Sequence, residues 1–147
     1  MSLKERLLQD LKAAMRDKNF IRKNTVQMVR SAVLQIEKDN KVTLDDDGVI
    51  EVIAKEVKKR RDCLPDYEKS GRQDLIDALK KEIEILQEYL PQQLTEEELK
   101  EIVRQSIQET VARSEKDMGK VMQAVMPKVK GRADGREASR IVKMLLG

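Results

Sequence analysis

Histidine and tryptophan are absent from the chain, cysteine occurs once, proline three times, and aromatic residues make up 2% of the 147 positions. Without histidine there is no serine–histidine triad, no cysteine–histidine pair and no histidine-bearing metal site. The lone Cys63 has no partner for an internal disulfide and fits a reducing cytoplasm. Neither a Walker phosphate loop nor a GxGxxG run is present, so the glycine-rich modes of nucleotide binding are unsupported. Phe20, Tyr67 and Tyr89 are scattered, which argues against base stacking on an aromatic sheet. No window approaches the roughly 18 apolar residues of a membrane span, and the N-terminal MSLKERLLQDLKAAM threads charges through its leucines, unlike a secretory leader. These absences lead to the expectation of a cytoplasmic protein with no membrane partner, no metal and no cofactor.

What is present is charge and aliphatic bulk. Charged residues make up 39%, and Leu, Ile, Val, Met and Ala must supply the core, the composition of amphipathic helices with long ionic faces. The expected fold class is all-α. A net charge of +3 is small, but it is segregated. Residues 1–61 hold fifteen Lys or Arg against ten acids, 62–117 eight against fifteen, and 118–147 seven against two.

Helical spacing of apolar residues predicts a first helix over about 2–17 on Leu3, Leu7, Leu11 and Ala14, widened by Leu8 and Met15. A second spans about 20–39 on Val26, Val29, Val33 and Ile36. A third spans about 46–62 on Val49, Ile50, Ile53 and Val57, and ends in Lys58, Lys59, Arg60 and Arg61. That basic run suits either a helix C-terminus with a solvated outer face or a nucleic-acid contact. The three aspartates before Gly48 lack the alternation and closing glutamate of a calcium loop, and read as acids opening a helix. Pro65 is expected to disturb the chain near Cys63, with a further break at Ser70 and Gly71. A helix over 72–90 follows, carrying Leu75, Leu79, Ile83, Leu86 and Leu90 with Ile76 beside them, and Pro91 ends it. Residues 91–94 read as a linker between an N-terminal helical bundle, 1–90, and a C-terminal three-helix module, 95–147.

Thr95 and Glu98 have capping-box spacing, and Leu99, Val103, Ile107 and Val111 form the next stripe, to about residue 113. Asp117 is placed to cap a helix bearing Met118, Val121, Met122, Val125 and Met126, stopped by Pro127 and Gly131. Asp134, with Glu137 three residues on, opens a last helix whose stripe is Ala138, Ile141, Val142 and Leu145. Between the stripes lie Lys128, Lys130, Arg132 and Arg136, with Arg140 one turn further. Clustered cations bind a nucleic-acid backbone regardless of base, and backbone N–H groups at Gly135 and Arg136 would attract phosphate as well. The methionines suit core filling or, if exposed, an adaptable protein-binding face.

The runs MGKVM and GRADGR, preceded by YLP, Leu94 and the EEL at 97–99, resemble the YqeY family, small bacterial proteins related to the C-terminal tail of the glutamyl/aspartyl-tRNA amidotransferase B subunit. The likeness extends over essentially the whole chain, most specifically at Tyr89–Leu94 and Asp117–Gly135. It implies a two-part helical protein with tRNA, or the tRNA-amidation machinery, as partner. Segments for ATP-dependent activation have no counterpart, so the resemblance implies tRNA association and not amidation. The expected function is a non-catalytic tRNA-associated accessory protein, with no catalytic residue. Lys128, Lys130, Arg132, Arg136 and Arg140 are the candidate RNA contacts, and Gly131, Asp134 and Gly135 the turn and cap. A protein-interaction adaptor is the alternative, and a carbon–nitrogen ligase with glutamine as amido-N-donor is third.

Overall fold

Five of the seven helices begin at a side chain that takes an orphan backbone N–H, and helices end where the backbone turns left-handed or the apolar stripe runs out. The computed structural model describes residues 1–147 and contains seven α-helices. They are α1 (Leu3–Arg16), α2 (Phe20–Asn40), α3 (Asp46–Ser70), α4 (Gln73–Gln87), α5 (Glu96–Thr110), α6 (Met118–Val129) and α7 (Gly135–Leu146), with one 3-10 turn at Glu115–Asp117. All-α is therefore the fold class. The chain divides into two compact units, Met1–Leu90 and Pro91–Gly147.

In the first unit α1 packs on α2, α3 on α4, and α2 against both α3 and α4. Ser2, Asn19 and Asp45 accept N–H bonds at the starts of α1, α2 and α3. Leu7, Leu11, Val26, Val29, Val33, Val49, Ile53 and Val57 meet Ile83, Ile85, Leu86 and Tyr89 in one core. Tyr89 donates its hydroxyl to Asp10, and burial first, then that carboxylate, pushes the phenol above its ordinary range. Glu37 ties three elements: it takes Lys4 of α1 and, at 2.7 Å, the N–H of Leu44 before α3. Those bonds hold its carboxyl below the usual carboxylate range.

Several expectations need correction here. The third helix does not stop near residue 62: α3 runs through Pro65 to Ser70 and closes at Gly71, whose φ is +70°. The carbonyl that Pro65 cannot satisfy belongs to Arg61, an exposed residue open to solvent. Because α3 continues, the Lys58–Arg61 run is mid-helix, and Arg60 turns inward. Its guanidinium is buried, bonded to Glu56 at 2.9 Å, Glu82 at 3.1 Å and the Met28 sulfur at 3.1 Å. Leu8, Met15 and Leu75, expected in stripes, are exposed.

In the second unit α5, α6 and α7 pack on one another around Leu99, Val103, Val121, Val125, Val129, Ala138, Ile141 and Val142. The Thr95–Glu98 capping box forms as expected. Val111 does not extend the stripe: α5 ends at Thr110, and Val111 sits 68% exposed at φ +54°. Bonds from Val111 N to Gln108 O and Ala112 N to Ile107 O close that end. Pro127 does not stop α6, because it faces solvent while Val129 two residues on is buried and draws the helix onward. The α6 stripe is therefore Val121, Val125 and Val129; Met118 and Met122 pack at its edge and Met126 is exposed. Nor does Asp117 cap α6. Its carboxylate turns back to the Arg113 N–H at 3.0 Å, a bond that lowers its pKa.

Arg60→Ala should destabilise the protein by about 3 kcal/mol in urea unfolding, since it leaves the buried Glu56 carboxylate with only the exposed Lys59 ammonium at 3.4 Å. Lys59→Ala, at the exposed position beside it, should change stability by less than about 0.5 kcal/mol; equal effects would mean that Arg60 is not the buried partner. Pro127→Ala should add about 2 kcal/mol by restoring a helical N–H without disturbing the core. A loss of stability there would show that the proline is structurally required.

Candidate nucleic-acid interface

The turn between α6 and α7 is built on its own backbone. Gly131 has φ +72°, a conformation that a side chain disfavours, and Arg132 N and Ala133 N both return to Val129 O, at 2.8 and 3.1 Å. Asp134 accepts from Arg136 N at 2.8 Å and starts α7. The expected capping box does not form, because Glu137 turns to Arg140 instead. The Arg136 N–H is thus occupied by a carboxylate, which corrects the idea that this helix start offers it to phosphate. A Cβ at Gly135 would stand 3.7 Å from the Met126 methyl, an ordinary contact.

Residues 92–94, read as a linker, are bonded onto this turn. Leu94 N donates to Arg132 O at 2.8 Å, the Gln93 amide to Gly131 O at 2.8 Å, and Arg132 Nε to Gln92 O at 3.3 Å. Leu94 and Ala133 then pack on the core. Arg132 is accordingly half-buried, with part of its fork committed to holding the chain.

The five candidate cations are not equivalent. Lys128 points back to α5, donating to buried Ser106 at 3.1 Å and pairing with Glu109 at 2.8 Å. Arg140 lies between Glu96 at 3.1 Å and Glu137 at 2.9 Å. Hydrogen bonding to Arg140, then the nearby Lys100 charge, holds the Glu96 carboxyl below its ordinary value; Glu137 and Glu96 raise Arg140 in turn. Lys130 and Arg136 stay exposed on either side of the turn. The sequence reading did not single out Arg113, Lys116 and Lys120, which are exposed towards the other end of α6. Of these only Lys120 falls in the basic stretch 118–147; Arg113 and Lys116 stand in the acid-rich stretch before it, where no charge imbalance marks them.

In the first unit a cleft of about 350 Å³ beside Tyr89 is lined by Arg6, Asp10, Ala13, Asp17, Arg22 and Glu88, among others. Its charges are largely matched. Arg22 grips Glu88 with two bonds, 2.6 and 3.1 Å, lowering the acid and raising the base, and Arg6 stacks 4.6 Å above the Tyr89 ring.

Because the folded pKa of Glu96 is depressed, its pairing stabilises the protein above the unfolded carboxylate value and is lost as pH falls through the lowered one. A carboxylate NMR titration should therefore place the Glu96 midpoint below the ordinary glutamate value. Arg140→Ala should move it up; an ordinary midpoint in the parent chain would refute the pairing.

Comparison with known proteins gives these features a family. The Yqey-like protein family matches residues 4–146. Among curated relatives, altered inheritance of mitochondria protein 41, mitochondrial, of Kluyveromyces lactis is 38% identical over 84 residues, which is 56% of this chain and 45% of the relative. The protein of the same name from Vanderwaltozyma polyspora is 33% identical over 85 residues, 57% and 46% of the two chains. Uncharacterized protein C22F3.15 of Schizosaccharomyces pombe is 26% identical over 90 residues, 61% and 70%. The chain spans less than half the length of the first two. No helix is long and apolar enough to cross a membrane. With the match running through both units, from α1 to the end of α7, the chain belongs to the YqeY-like family.

Proposed function

We propose that the protein is a non-catalytic accessory factor that associates with tRNA through the α6–α7 turn of its second unit. The observation that carries the reading is the turn itself. It displays exposed Lys130 and Arg136 on either side of Gly131, and Asp134 caps α7 through the Arg136 N–H. With no aromatic residue after Tyr89, such contacts are to backbone phosphate and are indifferent to base identity. The amidotransferase-tail resemblance at residues 117–135 supports tRNA over other polyanions. Lys128 and Arg140 drop to minor roles because acids of α5 and α7 already match them. A cytoplasmic setting is part of the proposal and rests on the single cysteine, although the Kluyveromyces lactis relative is a mitochondrial protein by name.

That same neutralisation favours a second reading, an adaptor for a protein partner, with exposed Met126 and Met144 as adaptable contacts. The carbon–nitrogen ligase reading stands third.

Lys130→Ala/Arg136→Ala should weaken tRNA binding several-fold at low salt, equally for different tRNAs. It should lower the slope of log affinity against log salt by about one per contact removed. Arg140→Ala should have a smaller effect. Fluorescence anisotropy across a salt series checks this. Unchanged binding by the double variant would refute the turn as the contact, and no tRNA binding by the parent chain would leave the adaptor reading.

A further inference from the structure

The first unit carries a patch that the tRNA reading does not use. At the turn joining α1 to α2, Phe20 is 64% exposed, Met15 56% and Ile21 43%. Isolated exposed apolar residues are ordinary, but three large ones within seven positions form a patch. Around them lie Lys12, Arg16, Lys18 and Lys23, none engaged in an ion pair, and Asp17 is the only acid between Lys12 and Lys23. Arg22, in the same stretch, is by contrast held by Glu88. The turn is ordered before anything binds: Asn19 N returns to Ala14 O at 2.9 Å, Lys18 N to Met15 O at 3.3 Å, and the Asn19 side chain caps α2.

From these side chains we infer that the α1–α2 turn docks reversibly on an anionic lipid surface. Apolar side chains ringed by unmatched cations combine the two attractions that a peripheral membrane contact needs, insertion at the acyl boundary and charge at the headgroups. A nucleic acid would take the cations but has no use for Met15 and Ile21. A partner's peptide would need a groove, and none of Met15, Phe20 and Ile21 lines the nearby cleft. Lysine and arginine stems can lie along apolar surface while their charges stay in water. The expectation of no membrane partner rested on the lack of a spanning run and a leader, neither of which bears on a surface contact.

The test is co-sedimentation of the full chain with vesicles of phosphatidylcholine mixed with phosphatidylglycerol, against vesicles of phosphatidylcholine alone. The parent chain should bind the anionic vesicles only, and less so as salt rises. Phe20→Ser should lower partitioning about tenfold, and Lys12→Gln/Lys18→Gln about 25-fold, at roughly fivefold per cation. All three positions are exposed, so far-UV circular dichroism should be unchanged. Lys130→Ala/Arg136→Ala should bind vesicles as the parent does, which separates this inference from the tRNA proposal. No binding to anionic vesicles, or a Phe20→Ser variant that binds like the parent, overturns it. So does a result in which the Lys12/Lys18 variant loses tRNA affinity while keeping its vesicle affinity, which would mark the patch as a nucleic-acid surface.

Discussion

Both units depend on helices whose buried stripes are short and β-branched. Valine supplies eleven of the buried apolar residues, and Tyr89 is the only aromatic ring among them. Valine is a mediocre helix former because its side chain loses rotamer freedom against the preceding turn. A helix such as α6, carrying Val121, Val125 and Val129, is therefore held by what it packs on more than by its own propensity. Packing also decides where helices end. Pro127 lies inside α6 because Val129 beyond it is fully buried, and α5 stops at Thr110 because the core has ended before Val111.

Local signals were legible and distant ones were not. Alternation at three and four residues placed every helix, and side-chain caps at Ser2 and Thr95 are local chemistry that spacing reveals. Pro65 and Pro127 misled because a proline's effect depends on whether the orphaned carbonyl can reach water, a property of the fold. Arg60 misled for a similar reason. Within the run Lys58–Arg61 residue type does not distinguish it, and buried Glu56 one turn back, Glu82 on the next helix and Met28 on an earlier one give it an interior place.

The same holds for the candidate interface. Gly131 and Asp134 could be read from residue type and spacing, and the structure places them at the turn and the cap. The rank order of the cations could not, since Arg140 is matched by Glu96, 44 positions away, and Lys128 by Glu109, 19 away. Cations on α6 and α7 that face α5 meet its acids, as Lys128 and Arg140 do. Charge segregation along the chain is thus partly cancelled by folding, at Lys128 and at Arg140.

Backbone conformation separates the two proposed surfaces in a further way. At Gly71 and Gly131 the left-handed turn is made by glycine, but at Lys18, Lys41 and Val111 it is made by residues with a side chain. Each of those costs about 1 kcal/mol or more relative to glycine. Left-handed φ alone identifies no function, because Val111 and Lys41 close helices in the same manner as Lys18. What distinguishes Lys18 is its company. It stands between Met15 and Phe20, where glycine would close α1 with less strain but would contribute no charge. At Gly131 the neighbours Lys130 and Arg132 supply the cations, so glycine can take the strained position without loss. A basic tip that must also turn tightly has no such neighbour to spare at position 18, and a lysine in an unfavourable conformation meets both demands.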